Sequence, residues 1–289
     1  MKEPPEMTIT SRYRDVDCRG NGSSAEQAGR GSRPHQGDQR RLGTYLAPVV
    51  FTGISISRDE AERLITAEVR PPIKRGDLDQ LSVERVVAII DGELGEDLVI
   101  PIEEVRRALD RGVAITGAAS VGALRAYEAR TRGMAGTGWV YEAYCGGQIT
   151  GIDEIAVLYA PNSYRPLTIP LVNIRYWLAQ LRRERAIQDS DVTHAMTTLK
   201  ELKVAERDGR TILLRLAAVF GRSGAKELLR RAKLAESDIK RMDACRLLRS
   251  LDPRQTRSLA HQGRHPMGRS GDNARQRGCK RSEQQTVKV

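Results

Sequence analysis

Three times between residues 48 and 130 a short apolar run ends in small or acidic residues and gives way to a helical pattern. Val86-Val87-Ala88-Ile89-Ile90 is the strongest of these runs. It is continuous and apolar, as a strand buried on both faces of a parallel sheet should be. It ends in Asp91-Gly92, and IEEVRRALDRG follows as a helix closing on Gly112. Val113-Ala114-Ile115 then runs into the small-residue turn Thr116 to Gly122, and Ala123 to Arg130 is helix-compatible. Upstream, Pro48 to Thr52 reads as a strand ending in Gly53 and Ser55. SRDEAERLITAEV follows as one helix, with Ser57 as N-cap, Glu60 completing a capping box, and Ala61, Leu64 and Ile65 on one face. Pro71-Pro72 stops it, and PPIKRGDLDQL is a loop. Such alternation implies right-handed crossovers and a parallel sheet covered on both sides. The expected fold is therefore α/β, a parallel sheet with a Rossmann-like three-layer core.

In a parallel sheet these three strand ends open on one edge, where open α/β folds place their sites. Exposed N–H groups at a helix start there favour anions. Ala118-Ala119-Ser120-Val121-Gly122 has the small-x-Ser-x-Gly form of a nucleophile elbow. As a nucleophile Ser120 needs a base, and the histidines are His35, His194, His261 and His265, of which only His194 falls in a folded part, well downstream. The alternative is that its hydroxyl caps the helix or contacts a ligand. Asp91 is a candidate base or metal ligand, with turn-fixing beside Gly92 as the alternative. Gly53, Ser55, Arg75, Asp77, Gly117, Gly122, Arg125 and Glu128 are the candidate substrate- or anion-binding residues. Arg125 and Glu128 lie one turn apart, so a local ion pair competes with that role. The glycine spacing gives neither a dinucleotide fingerprint nor a Walker lysine. No cofactor and no metal is assigned.

Domain limits follow from composition. Residues 47–181 hold the α/β core. From Arg183 to Leu251 the pattern is helical and highly charged, so 182–252 is expected as a helical subdomain, with RTILLRLAAVFG and AKELLRRAKL as separate helical pieces. Residues 1–46 and 253–289 are rich in Gly, Ser, Arg, Gln and Asp and read as disordered basic extensions. The net charge of +11 is uneven. Residues 181–289 carry 26 Lys+Arg against 13 Asp+Glu, whereas residues 48–180 carry 14 against 18. A nucleic-acid-binding regulator using the basic carboxyl third is one reading, and a solvated tail the favoured one. The four scattered cysteines form no ligand pair or disulfide framework, which suits a reduced, cytoplasmic setting. No membrane span and no secretory signal is read.

The blocks VFTGISIS, PPIKRGDL, VVAIIDGEL, GAASVGALRAYE, RGMAGTG and RPLTIPLVNIR, in this order from Val49 to Leu181, resemble the TfuA-like family, named for a protein of trifolitoxin biosynthesis. The resemblance implies an accessory protein for a YcaO-type partner that modifies the backbone of a ribosomally made precursor peptide, installing thioamide- or azoline-type groups in antibiotic (bacteriocin) synthesis. A sulfur carrier or sulfurtransferase is a further implied partner. A Ser-dependent hydrolase or sulfur-releasing enzyme feeding the YcaO protein is the alternative. Two positions depart from the family's usual pattern. Ile102-Glu103-Glu104 stands where a His beside a Lys-Glu pair is usual, and Val121 stands where Met is usual. The missing His counts against an enzymatic role.

Overall fold

A computed structural model describes residues 46–251, apart from 84, 96 and 233–237. Five strands form one all-parallel sheet in the order β2-β1-β3-β4-β5. These are β1 (Val49–Phe51), β2 (Glu68–Arg70), β3 (Val86–Ile89), β4 (Ala114–Gly117) and β5 (Ala135–Gly136). The two extensions, Leu46 aside, lie outside the described residues.

The three runs that head the sequence pattern are β1, β3 and β4, and they lie side by side at the centre. Their continuous apolar composition is used on both faces. Val49, Phe51, Val87, Ile89 and Ile115 pack on one side with α2 (Ile102–Asp110), α3 (Val121–Ala129) and α4 (Trp139–Cys145). Val50, Ala88 and Ile90 pack on the other with α1 (Arg58–Leu64) and α8 (Ile239–Leu251). This is the three-layer α/β architecture the alternation predicts.

The order has a switch point between β1 and β3, where the chain reverses its direction of travel across the sheet. Open α/β sheets bind ligands in the crevice outside the carboxyl ends at such a point. The crossover from β2 to β3 carries no helix. Residues 71–85 pass over one face, burying Ile73, Leu78 and Leu81. Buried Glu104 of α2 pins this segment by accepting from the N–H groups of Gly76 (2.8 Å) and Leu78 (2.9 Å).

Two details differ from the sequence reading. The helix expected to run from Ser57 toward Pro71 stops at Leu64, and Glu68–Arg70 is a strand. Ile65 is already extended (φ −150°, ψ 145°), a conformation that β-branched Ile65-Thr66 favours, and Arg70, the residue before Pro71, is restricted to the same region. Ser57 does cap α1, its Oγ accepting from Glu60 N at 3.3 Å. Glu60 does not close the box but pairs with Arg241 of α8. The second difference is β5, a two-residue strand inside the glycine cluster, beside β4.

A separate apolar cluster unites α5 (Leu171–Arg183), α6 (Asp189–Lys200) and α7 (Gly209–Ala232), centred on Trp177 and Leu178. Gly221 (φ 71°) breaks α7 between the two pieces foreseen. α8 lies beyond this cluster in sequence but returns to the sheet, placing Ala244, Leu247 and Leu248 against β1 and β3. The layer structure of the α/β core therefore reaches past residue 181.

Candidate functional site at the carboxyl edge of the sheet

Asp91 stands just after β3, fully buried. The loop after β1 closes around it. Gly53, Ile54 and Ser55 point their N–H groups at Oδ2, at 3.2, 2.9 and 2.7 Å, and the Ser55 hydroxyl donates to Oδ1 at 2.6 Å. The Thr52 hydroxyl is 3.1 Å from Oδ2 but equally close to Ile56 O, and its one proton serves either acceptor. Three successive backbone N–H groups around an oxygen form an anion nest. Here the anion is the protein's own side chain. Gly53, Ser55 and Asp91 therefore meet, as expected of adjacent strand ends, but they satisfy one another.

The β4–α3 turn lies alongside. Gly117 and Gly122 are there for packing. A Cβ on Gly122 would fall 1.8 Å from Ile89 O, and one on Gly117 would fall 2.1 Å from Gly122 O. Helix α3 thus starts directly on the sheet backbone, and Gly122 N donates to Ile90 O at 3.2 Å. Ala119 holds φ +67°, an unusual value for a residue with a Cβ. Ser120 is the N-cap residue of α3, is buried, and makes no side-chain cap bond. The one histidine among the described residues, His194, is exposed on α6, a helix that packs on α5 and α7.

Arg125 is turned away from an external anion. Its Nε and one terminal nitrogen donate to Ile100 O at 2.9 and 2.7 Å, and the other terminal nitrogen pairs with Glu128. The pair expected one turn apart therefore forms, and the guanidinium ties α3 to the segment before α2. Arg75 lies on the surface, its Nε on Asp97 O at 3.2 Å. Asp77 accepts from Lys74 N at 2.9 Å.

Lys240 is a basic group that sequence reading passed over. It is buried at the start of α8, donating to Ile155 O at 3.0 Å. Burial pushes its ammonium pKa down, while the charges of Asp91 and Asp238 oppose that shift. The signal was present: Lys240, Asp243, Ala244, Leu247 and Leu248 share the apolar spacing of one helix face. Asp243 caps α4, accepting from Trp139 N (2.9 Å) and Val140 N (2.8 Å). Burial raises its pKa to about 6, against the two N–H bonds. The β3–β4 half of the edge is thus filled by the protein itself.

The β1–β2 half is open. A cavity of about 340 Å³ lies there. Phe51, Pro72 and Tyr164 give it apolar walls, and Arg70, Lys74, Asp77 and Glu93 give it charge. Tyr164 comes from a hairpin-like segment in which Tyr159 bridges Pro166. Its ring lies over Gly53, where a Cβ would be 3.1 Å from the ring. It also packs on Tyr159, with centroids 5.7 Å apart, and the Tyr159 hydroxyl bonds to Glu93. Of the predicted site residues, only Asp77 lines this cavity. Arg70 and Lys74 lie beside it in sequence, whereas Glu93 and Tyr164 come from distant segments.

Residues 91–208 match the family model described as TfuA-like protein. Over that span the chain is similar to TfuA-like proteins. The matched span starts at the nest-bound carboxylate and takes in the β4–α3 turn, the Tyr159–Tyr164 segment, α5 and α6. Within 91–181 it coincides with the resemblance read from the sequence blocks. No curated protein matches the chain. TfuA-like proteins are associated in general terms with YcaO proteins and with ribosomally made, modified peptides. No described helix is long and apolar enough to cross a membrane.

Proposed function

We propose that this protein is an accessory factor for YcaO-dependent backbone modification of a precursor peptide, acting in the cytoplasm in trifolitoxin-like antibiotic synthesis. The observation that carries the reading is the TfuA-like match across residues 91–208. The local chemistry is in keeping with it. Asp91 is saturated by the loop after β1, Arg125 by Ile100 and Glu128, and the free charges lie in an open cavity. Such an edge suits holding a partner or a carried group. The group installed is of thioamide or azoline type, with sulfur brought by a carrier or sulfurtransferase.

The test is reconstitution with a YcaO protein, a precursor peptide, ATP and sulfide, read by mass spectrometry. A mass change should appear only when this protein is added. An identical product without it overturns the proposal.

A second reading keeps Ser120 as the nucleophile of a sulfur-releasing hydrolase. Two local features favour it: the positive φ of Ala119 and the position of Ser120 at the start of α3. Ser120→Ala distinguishes the two readings. With a bound sulfur donor in place of free sulfide, the variant supports the full mass change under the accessory reading and none under the hydrolase reading. The basic tail beyond residue 252, on which a nucleic-acid-binding role would rest, lies outside the described residues.

A further inference from the structure

The open cavity beyond β1 and β2 has a balanced charge pattern. Arg70 and Lys74 supply two cations, and Asp77 and Glu93 supply two anions. Their partners show how much of each charge is still available. Glu68 holds Arg70 from one side at 2.6 Å, and the guanidinium lies 5.8 Å over the Phe51 ring. The Lys74 ammonium is exposed and has no partner among the described residues. Asp77 uses one oxygen for Lys74 N, and Glu93 uses one for the Tyr159 hydroxyl. Each carboxylate keeps its second oxygen free of any described donor.

A ligand of one charge sign would meet repulsion as well as attraction in this space. A ligand with one positive and one negative end can satisfy both pairs. The walls add a further requirement. Pro71 and Tyr164 present apolar surface between the charged groups, over the buried Phe51 and Pro72. Tyr164 holds φ +53°, unusual for a bulky residue, with its N–H bonded to Ala160 O at 2.8 Å. Backbone held in a sparsely populated region gathers at ligand clamps. The turn sets the ring against Gly53 at the mouth of β1. A volume of about 340 Å³ is at the small end for ligand sites, which suits a molecule the size of an amino acid.

We propose that this cavity binds a small zwitterion, an α-amino acid with an apolar side chain. Its carboxylate faces Lys74, its ammonium faces Glu93 and Asp77, and its side chain lies against Pro71 and Tyr164. The site is separate from the sealed Asp91 nest and does not depend on the YcaO partner proposed above.

The test is calorimetric titration of the full chain with L-phenylalanine, its methyl ester and its N-acetyl derivative. The ester lacks the carboxylate and the acetyl form lacks the ammonium. L-Phenylalanine should bind saturably, and each masked form should bind at least about tenfold more weakly, the factor one charge-assisted hydrogen bond supplies. Lys74→Ala should weaken L-phenylalanine about tenfold and leave the ester unchanged. Glu93→Gln should weaken L-phenylalanine and leave the N-acetyl form unchanged. Lys74 is exposed, and glutamine still accepts from Tyr159, so both variants keep the fold, which thermal melting verifies. Equal affinity for all three molecules overturns the proposal, as does binding that neither variant alters. The absence of any saturable binding overturns it as well.

Discussion

Replacing Asp91 with alanine would leave four donors, the N–H groups of Gly53, Ile54 and Ser55 and the Ser55 hydroxyl, facing an empty space in the interior. A buried donor without a partner costs about 1–3 kcal/mol, and removing one side of a buried charged contact costs about 3–5 kcal/mol. Asp91→Ala should therefore lower unfolding free energy by roughly 4 kcal/mol in urea titration. A loss below about 0.5 kcal/mol, the range of an ordinary surface change, would refute the structural role. The strand-end position made Asp91 conspicuous in the sequence. Whether its oxygens face a ligand or the chain depends on how the β1 loop curls, and only the folded backbone shows that. Arg125 teaches the same point. Its spacing from Glu128 is local and readable, whereas its bonds to Ile100 O join residues 25 apart.

The packing of α3 on β3 rests on one missing atom. A methyl group at Gly122 would overlap Ile89 O at 1.8 Å, and neither partner is a side chain that can swing aside. Gly122→Ala should push α3 off the sheet and cost at least about 3 kcal/mol, at the upper end of overpacking penalties. Gly146 is the control. It has φ −81°, and its added Cβ would find its nearest neighbour at 3.4 Å, so Gly146→Ala should shift stability by less than about 1 kcal/mol. Thermal melting of the two variants side by side checks this. Equal melting temperatures would show that the close approach carries no energy.

At this scale the sequence was legible where composition is strong. β1, β3 and β4 are continuous apolar runs, and each is followed by a helix that forms. β2 was missed because only Val69 of its three residues is buried, with Glu68 and Arg70 beside it. β5 was missed because two residues, Ala135-Gly136, carry no pattern. The return of α8 to the sheet depends on contacts such as Asp243 with Trp139, 104 residues apart. No window of local periodicity reaches that far. The open cavity was hidden for the same reason: Arg70, Glu93 and Tyr164 meet only when the sheet and the hairpin-like segment are in place.

At the scale of the whole molecule, two carboxylates at the start of α8, Asp238 just before it and buried Asp243 within it, set a pH response. Asp243 is raised from 3.8 to about 6 by burial; its bonds to Val140 N and Trp139 N and the Arg246 charge oppose this, and Glu142 adds to it. Between those two values the folded protein holds more protons at Asp243 than the unfolded chain does. Stability from this group is therefore present at pH 4 and falls as the pH rises toward 6. Asp238, also raised by burial, acts in the same direction. Glu154 acts in the opposite one. Burial pushes its pKa up, but Arg175 at 2.6 Å and Lys200 at 2.8 Å more than offset that and leave it lowered. Its stabilisation holds above the ordinary carboxylate range and is lost on acidification. Asp243→Asn isolates one side of this balance, because asparagine keeps an acceptor oxygen for α4 and cannot ionise. A tenfold change in proton affinity between the folded and unfolded chain is worth about 1.4 kcal/mol, so the variant should gain on the wild type by up to about 3 kcal/mol between pH 4 and pH 7. Urea unfolding of both proteins across that range measures the gain. A difference that stays flat, or that favours the wild type as the pH rises, would mean that the N–H groups of α4 hold the carboxylate ionised against burial.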